Sequence, residues 1–269
     1  MAELDLSDLL KLESFNITGR KDPVIVEIIN DGGLYSSVTD EIPSEKNLIT
    51  IALKNYMHLA GTGGFFRFRI EKNIPSGAGL GGGSSNAAAA LIMAAEALGR
   101  KIDDDMRSAA FMTGSDVPFF LSGGYAFVEG RGELVLPVDF NDESYVLLVN
   151  NGIHVDTGLA YRNLNRIVSE EPEDYKSREI FIKKGIKNRS DWKDIFRNDF
   201  EGTIFRIHPE IGSIKEKLYN LKSYFSAMTG SGSTVFGLFS NMETALQAQY
   251  HLKKDGNIVY FSKFRSEIN

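Results

Sequence analysis

The chain has 269 residues, no cysteine and a formal net charge of −6. The lack of cysteine excludes disulfides, thiol catalysis and cysteine-ligated metals, and the negative charge argues against nucleic acid as the main partner. Because no apolar run could span a bilayer and the amino terminus has no signal-peptide pattern, the sequence predicts a soluble, cytoplasmic protein without a membrane partner.

The first forty residues predict strands. Residues 4–12 are rich in leucine and fit either a short strand or a helical turn, whereas Val24 to Ile29 form a clear strand pattern. The glycines at 32 and 33 predict a turn, with a hairpin into residues 34–38.

A helix and another strand come next. Ser44 is the predicted N-cap of a helix that runs to about Leu59 and ends at Gly61. The aromatic residues between 65 and 70 then predict a strand.

A glycine-rich stretch follows that strand and is the most informative part of the sequence. Residues 77–83 contain five glycines, and the alanine-rich segment from Asn86 to Leu98 predicts a helix with Gly99 as its stop. A strand, a glycine loop and a helix start, with two serines near its N-cap, direct backbone N–H groups and the helix dipole at one point, which suits a phosphate. A flexible linker is the weaker interpretation, because linkers do not lead directly into a helix.

The loop is neither a Walker A loop nor a good dinucleotide fingerprint. Its pattern, Pro-x-Gly-x-Gly-Leu-Gly-Gly-Gly-Ser-Ser-Asn-Ala-Ala, resembles the phosphate loop of the GHMP kinase superfamily. The resemblance implies ATP and Mg²⁺ as cofactors, and it implies that Ser84 contacts the metal. The residues implied to hold the triphosphate are Pro75, Ser76, Gly77, Ala78, Gly79, Leu80, Gly81, Gly82, Gly83, Ser84 and Ser85.

Asp116 is the candidate catalytic base. After a predicted helix over residues 106–112, Pro118 favours an extended Val117, so we expect Asp116 on a loop that enters a strand over residues 119–121. From this segment alone an ordinary Asx turn is the better interpretation. The run Gly-x-Asp-Val-Pro, however, resembles the second GHMP motif, in which the aspartate accepts the proton of the substrate hydroxyl as that hydroxyl attacks the γ-phosphorus.

The second half of the chain predicts a further domain. Two strands with a tight turn between them are predicted up to residue 138, the turn formers over residues 137–142 predict a crossover, and a buried strand follows over residues 145–149. The resemblance implies a two-domain α+β fold. Residues 1–141 would form an ATP-binding domain like domain 2 of ribosomal protein S5, and residues 142–269 a ferredoxin-like domain.

Two later segments supply candidate substrate contacts. Thr157 opens a predicted helix where the resemblance implies a threonine beside the substrate, although a helix-terminal hydroxyl is an equal alternative. The run Thr-Gly-Ser-Gly-Ser from Thr229 resembles the third GHMP motif, and a simple hairpin turn is its alternative. The candidate substrate residues are therefore Thr157, Gly230, Ser231 and Gly232.

The remaining segments are predicted from composition and spacing. The polar stretch from Ser169 to Asp191 predicts a solvated, mobile insertion. Helices are predicted from residue 198, over 209–218 and over 242–252, and a last strand over 258–261.

Two GHMP elements are missing from the sequence: an initial Pro-Ala-Lys strand and an Asp-Gly-Tyr-His segment. No residue here is assigned their implied roles, which are neutralising the transferred phosphoryl group and holding the substrate. We expect a fold without its first strand, and weak or absent turnover with partial ATP binding. Three explanations are open: a start codon assigned to an internal methionine, a truncated product, or lost catalysis. The intact loop and Asp116 favour the first two.

The resemblance implies phosphorylation of a hydroxyl of a small, nucleotide-linked polyol by a monomer or homodimer. One alternative is another small-molecule kinase of the superfamily, of the homoserine or mevalonate type. A second is a non-catalytic nucleotide-binding homologue.

Overall fold

A computed structural model describes residues 1–20, 22–35, 43–164 and 187–265. It contains both helices and strands, which confirms the α+β class. The chain divides into two compact units. The first comprises Met1–Ser76, Gly81–Asp139 and Arg265–Asn269, and the second Gly77–Leu80 and Phe140–Phe264. The predicted domain boundary between residues 141 and 142 stays a prediction.

The strands and helices are labelled in chain order. The strands are β1 Leu9–Thr18, β2 Val24–Asn30, β3 Gly63–Glu71, β4 Ala126–Glu129, β5 Leu134–Pro137, β6 Tyr145–Asn150, β7 Phe225–Met228, β8 Val235–Phe239 and β9 Ile258–Lys263. The helices are α1 Leu48–Leu59, α2 Gly82–Ala97, α3 Asp104–Thr113, α4 Val117–Phe120, α5 Thr157–Arg162, α6 Trp192–Ile195, α7 Glu201–Ile207, α8 Pro209–Asn220 and α9 Met242–Lys254. Within the described residues, no helix is long and apolar enough to cross a membrane.

The first unit is built on a mixed sheet of order β1-β3-β2, in which β3 runs antiparallel to β1 and parallel to β2. The leucine-rich start of the chain therefore leads into a strand. Alternation along β3 buries Phe66, Phe68 and Ile70 in the core, whereas Arg67 and Arg69 form ion pairs with acidic residues on the outer face. Helix α2 presents small alanines to this core, so it can pack closely.

The second unit has an antiparallel sheet of order β7-β8-β6-β9. With the shorter helices left aside, the chain order β6, α8, β7, β8, α9, β9 is the ferredoxin-like pattern, as predicted. The core of this unit packs Leu147 and Val149 of β6 with Leu218 of α8 and Leu252 of α9.

Three local predictions are wrong. Ser44 lies in a 3₁₀ turn, and Asn47 caps α1 instead, where its side chain accepts a hydrogen bond from the backbone N–H of Ile49 at 3.0 Å. Residues 117–120 form the short helix α4 and not a strand, because a proline in the first helical turn loses no hydrogen bond. Helix α2 begins at Gly82 with Gly81 as its N-cap, ahead of the predicted start at Asn86, whereas the two serines lie within its first turn as expected.

The predicted hairpin after β2 is not seen in the described residues. Leu34 and Tyr35 form a turn, and β2 pairs in parallel with β3. The rest of that predicted strand, residues 36–38, and the polar stretch up to residue 186 lie outside the described residues.

We predict that Thr50→Val stabilises the first unit. Thr50 is 3% exposed, and its hydroxyl has no hydrogen-bond partner among the described residues. Replacing an unpaired buried hydroxyl with a methyl group of similar shape should raise the free energy of unfolding by about 1 kcal/mol, as measured by urea denaturation.

Thr113→Val is the matched control. Its hydroxyl donates to the Ala109 carbonyl at 2.7 Å and accepts from the Asn55 amide at 3.2 Å, so this change should lower the free energy of unfolding by about 1 kcal/mol. Equal losses from both variants would contradict the prediction.

Candidate active site

Helix α2 begins with a turn that is open to an anion. Its N-cap, Gly81, has φ +70° and no side chain to cap the helix. The backbone N–H of Ser85 donates to the Gly81 carbonyl at 2.9 Å, but by helix geometry the N–H groups of Gly82, Gly83 and Ser84 have no acceptor within the helix. These donors and the helix dipole form a site suited to phosphate oxygens.

Close packing explains why glycine occupies the start of α2. A Cβ atom at Gly81 would lie 2.9 Å from Cζ of Phe120 in α4, and one at Gly82 would lie 2.8 Å from Cγ2 of Ile74. A larger residue at either position would have to displace the Phe120 ring or the Ile74 side chain, which pack directly against the start of α2.

The tip of the loop, Gly77–Leu80, belongs to the second unit, where it packs on the turn between β7 and β8. The Thr229 hydroxyl donates to the Gly79 carbonyl at 2.8 Å, and the Thr234 N–H donates to the Ala78 carbonyl at 3.4 Å. Gly79 has φ +73°, and a Cβ atom there would lie 2.4 Å from the Thr229 carbonyl oxygen. The first and third sequence motifs therefore meet in this unit.

The β7–β8 turn is held in place by Asn198 and by Glu201, the first residue of α7. The Asn198 amide donates to the carbonyls of Met228 and Gly230 at 2.6 and 2.8 Å, and Glu201 accepts from the Met228 N–H at 2.8 Å. Lys215 donates to the other oxygen of Glu201 at 2.6 Å. Sequence reasoning assigned this segment only the start of a helix, because nothing in its local pattern indicates a long-range partner.

The structure brings two of the predicted substrate residues together. The hydroxyls of Thr157 and Ser231 lie 2.8 Å apart, with Gly230 and Gly232 on either side of Ser231. Asp156 is the N-cap of α5 and accepts from the Leu159 N–H at 2.6 Å. The Thr157 hydroxyl is therefore engaged with Ser231 at the surface of this unit.

Asp116 lies in the first unit as the N-cap residue of α4, although its side chain makes no capping hydrogen bond. Helix α4 also contacts the start of α2 through Phe120, so two helices packed in one unit carry Asp116 and the open N–H groups. Desolvation raises the pKa of the Asp116 carboxyl above its ordinary value, and the nearby α-ammonium group of Met1 opposes that rise. A carboxylate with a raised pKa is a stronger base near neutral pH.

The two serines at the start of α2 differ in their hydrogen bonding. The Ser85 hydroxyl donates to the Gly82 carbonyl at 2.9 Å, whereas the Ser84 hydroxyl bonds to no described residue. No group of three or more acidic or histidine side chains within the described ranges is placed to hold a metal ion.

Sequence reasoning missed a buried polar cluster beneath the loop. Lys72 is 6% exposed, and its ammonium group donates to the Asp8 carboxylate at 2.5 Å and to the Ile74 carbonyl at 2.6 Å. Asn86 of α2 donates to the same carboxylate at 2.8 Å. The one available signal was a lysine at the end of an apolar strand, and nothing distinguished Asp8 from the other acids near the amino terminus.

Comparisons with known proteins agree with this geometry. A family model described as the GHMP kinases N terminal domain matches residues 47–124, and one described as GHMP kinases C terminal matches residues 182–258. The chain is 35% identical to a 4-diphosphocytidyl-2-C-methyl-D-erythritol kinase of Solibacter usitatus over 81% of this chain and 70% of that protein. It is 40% identical to the enzyme of that name from Bacteroides fragilis strain YCH46, over 65% of this chain but only 61% of that one.

A solved structure extends the likeness to the whole fold. The crystal structure of 4-(cytidine 5'-diphospho)-2C-methyl-D-erythritol kinase shares 28% identity with this chain, with a TM-score of 0.71 over 99% of this chain and 89% of that one. The two-domain fold implied by the glycine loop is thereby confirmed. The two family-model matches, the curated relatives and the shared fold show that this chain belongs to the GHMP kinase family, whose members are ATP-dependent small-molecule kinases.

Proposed function

We propose that this chain transfers the γ-phosphoryl group of ATP to a hydroxyl of 4-diphosphocytidyl-2-C-methyl-D-erythritol, a reaction of non-mevalonate isoprenoid precursor synthesis. The observation that supports the reaction class is the open first turn of α2 behind its glycine loop. The substrate is inferred from the name shared by relatives that are 35 and 40% identical. We propose that the enzyme works in the cytoplasm as a monomer or homodimer.

Residues 75–85 would hold the triphosphate mainly through backbone N–H groups. The protein carries a net charge of −6, so its overall field repels a nucleotide. Lys72 adds little positive charge at the loop, because Asp8 neutralises it. Binding would therefore depend on the orientation of local dipoles, which act strongly only at short range.

The residues present fit a Mg²⁺ ion that arrives with the nucleotide. Mg²⁺ commonly takes its ligands from phosphate oxygens, water and one or two protein groups, and the unengaged Ser84 hydroxyl can supply one protein oxygen. Bound there, the ion would neutralise charge on the phosphate groups.

Asp116 would act as the base. Its carboxylate accepts the proton of the substrate hydroxyl while that oxygen forms a bond to the γ-phosphorus and the bond to the ADP oxygen breaks. Kinases rely mostly on positioning and charge stabilisation, so the only proton-transfer group that we assign to this step is the Asp116 carboxylate, with its raised pKa. In the second unit, Thr157, Gly230, Ser231 and Gly232 would contact the substrate.

The direct test is product formation by the purified full chain under single-turnover conditions. ATP and Mg²⁺ are supplied with 4-diphosphocytidyl-2-C-methyl-D-erythritol, homoserine or mevalonate, and phosphorylated product is detected by mass spectrometry. We expect product only from the diphosphocytidyl substrate. Product from homoserine or mevalonate alone would assign the chain to another kinase of the family, and ATP binding without any product would indicate a non-catalytic homologue.

We predict that Asp116→Asn reduces kcat by about 10²- to 10⁴-fold with little change in ATP affinity, because general base catalysis commonly contributes this much. The pKa of Asp116 is raised by desolvation, so its ionised form costs folding free energy at pH values above that pKa. The variant should therefore be as stable as the parent or more stable at neutral pH, and the difference should vanish in acid. Asp104→Asn, at an exposed acid in the first turn of α3, is the control and should keep full activity.

The pH dependence gives a second measurement on the same residue. Because the ionised carboxylate is the active form, kcat/KM should fall as the pH drops through the raised pKa of Asp116. This acidic limb should lie at a higher pH than an ordinary aspartate would give. A limb at the ordinary value, or full activity of Asp116→Asn, would exclude Asp116 as the base.

We predict that Gly79→Ala weakens ATP binding at least about tenfold, as measured by isothermal titration calorimetry. The new methyl group would meet the Thr229 carbonyl and displace the loop tip, and displacements of about 1 Å can have effects of this size or larger.

Gly99→Ala is the control for backbone strain. Gly99 has nearly the same φ, +67°, but a Cβ atom there meets nothing within 4 Å. It should lose about 1–2 kcal/mol of stability and keep its ATP affinity. Unchanged ATP binding by Gly79→Ala would contradict the proposed role of the loop tip.

A further inference from the structure

We propose that the buried cluster of Asp8, Lys72 and Asn86 positions the glycine loop for nucleotide binding, beyond any contribution to stability. The inference rests on the proposed nucleotide site at the start of α2. None of the three residues would touch the reacting atoms, so each is a positioning residue.

The cluster joins three segments that are distant in sequence. Asp8 precedes β1, Lys72 follows β3, and Asn86 lies in the second turn of α2. One oxygen of the Asp8 carboxylate accepts from the backbone N–H groups of Asn73 and Ile74, both at 2.7 Å. The other accepts from the Lys72 ammonium group at 2.5 Å and from the Asn86 amide at 2.8 Å.

The Lys72 ammonium group lies close to both ends of the loop. It donates to the Ile74 carbonyl at 2.6 Å, one residue before Pro75. A Cβ atom at Gly82 would lie only 3.3 Å from the same nitrogen, at the first residue of α2. The ammonium group is thus bonded to the root of the loop and packed beside the first residue of α2, while the Asp8 carboxylate links it to Asn86 in the next turn of that helix.

Stability alone does not account for this arrangement. The Asp8 side chain is fully buried and that of Lys72 is 8% exposed, so both charges have left water. Buried ion pairs are often no better for stability than an apolar pair of the same shape, because desolvation offsets their attraction. The Asp8 carboxylate accepts four hydrogen bonds, and together these bonds allow only one geometry of the surrounding segments. A phosphate site built from backbone dipoles requires such a fixed geometry.

The double variant Asp8→Asn/Lys72→Met tests this role. It removes both charges at nearly constant shape. The asparagine oxygen can still accept from the two backbone N–H groups, and a flip of the Asn86 amide lets its oxygen accept from the new amide nitrogen. A single Lys72→Met change would leave the buried Asp8 carboxylate without its cation and would strongly destabilise the unit, so a loss of binding could not be separated from a loss of stability. The control is Glu27→Gln/Arg67→Met, which removes an exposed pair that spans 2.8 Å on the outer face of the same sheet.

We expect the double variant to melt within a few degrees of the parent chain but to bind ATP at least about tenfold more weakly, in calorimetric titration with ATP and Mg²⁺. Without nucleotide, amide hydrogen exchange should be faster in residues 76–81 while exchange in β3 is unchanged. The control variant should match the parent in all three measurements.

Two results would overturn the proposal. One is parent-like ATP affinity with parent-like exchange in the loop. The other is a uniform increase of exchange across the first unit, which would show a purely structural role. If the parent chain itself fails to bind ATP, the proposed function fails, and the exchange pattern of residues 76–81 alone then decides whether the cluster positions the loop.

Discussion

The unpaired backbone N–H groups in the first turn of α2 are the constraint on which the candidate site depends. An N–H group has a fixed direction, so it can bind a phosphate oxygen only if the helix start is held still and left uncovered. Gly81 and Gly82 let Phe120 and Ile74 pack directly against that start, which holds it without covering it. The loop is rich in glycine for two reasons: neighbouring side chains must approach its backbone closely, and several of its residues adopt a positive φ.

A chain with a net charge of −6 cannot depend on long-range attraction to bind a triphosphate. The structure also neutralises Lys72, the buried cation nearest to the loop, by pairing it with Asp8. Affinity is then left to short-range dipoles, whose contribution depends steeply on geometry. The hydrogen bonds that fix the loop at its root and at its tip, through Asp8 and Thr229, therefore matter more than surface charge.

The predictable features were those carried by local sequence. β-Branched and aromatic residues predicted β2 and β3, alanine content predicted α2, and the glycine motifs located the loop and the β7–β8 turn, because each pattern records a local backbone requirement. Local rules failed where two of them competed. At residues 117–120 the residue before proline was expected to be extended, but Val117 is helical because the first turn of a helix accepts a proline.

Long-range polar contacts were beyond the sequence. Asp8 lies 64 residues before Lys72 and 78 before Asn86, and no periodicity connects such positions. The same holds for Asn198, which orders the turn that contains Gly230 from 32 residues away. The motifs therefore identified the backbone groups expected to contact the ligand. The side chains that hold this backbone in place could be identified only from the fold. Substitutions of residues of this second kind that leave no buried charge without a partner are the ones that should alter ligand affinity while the fold stays intact.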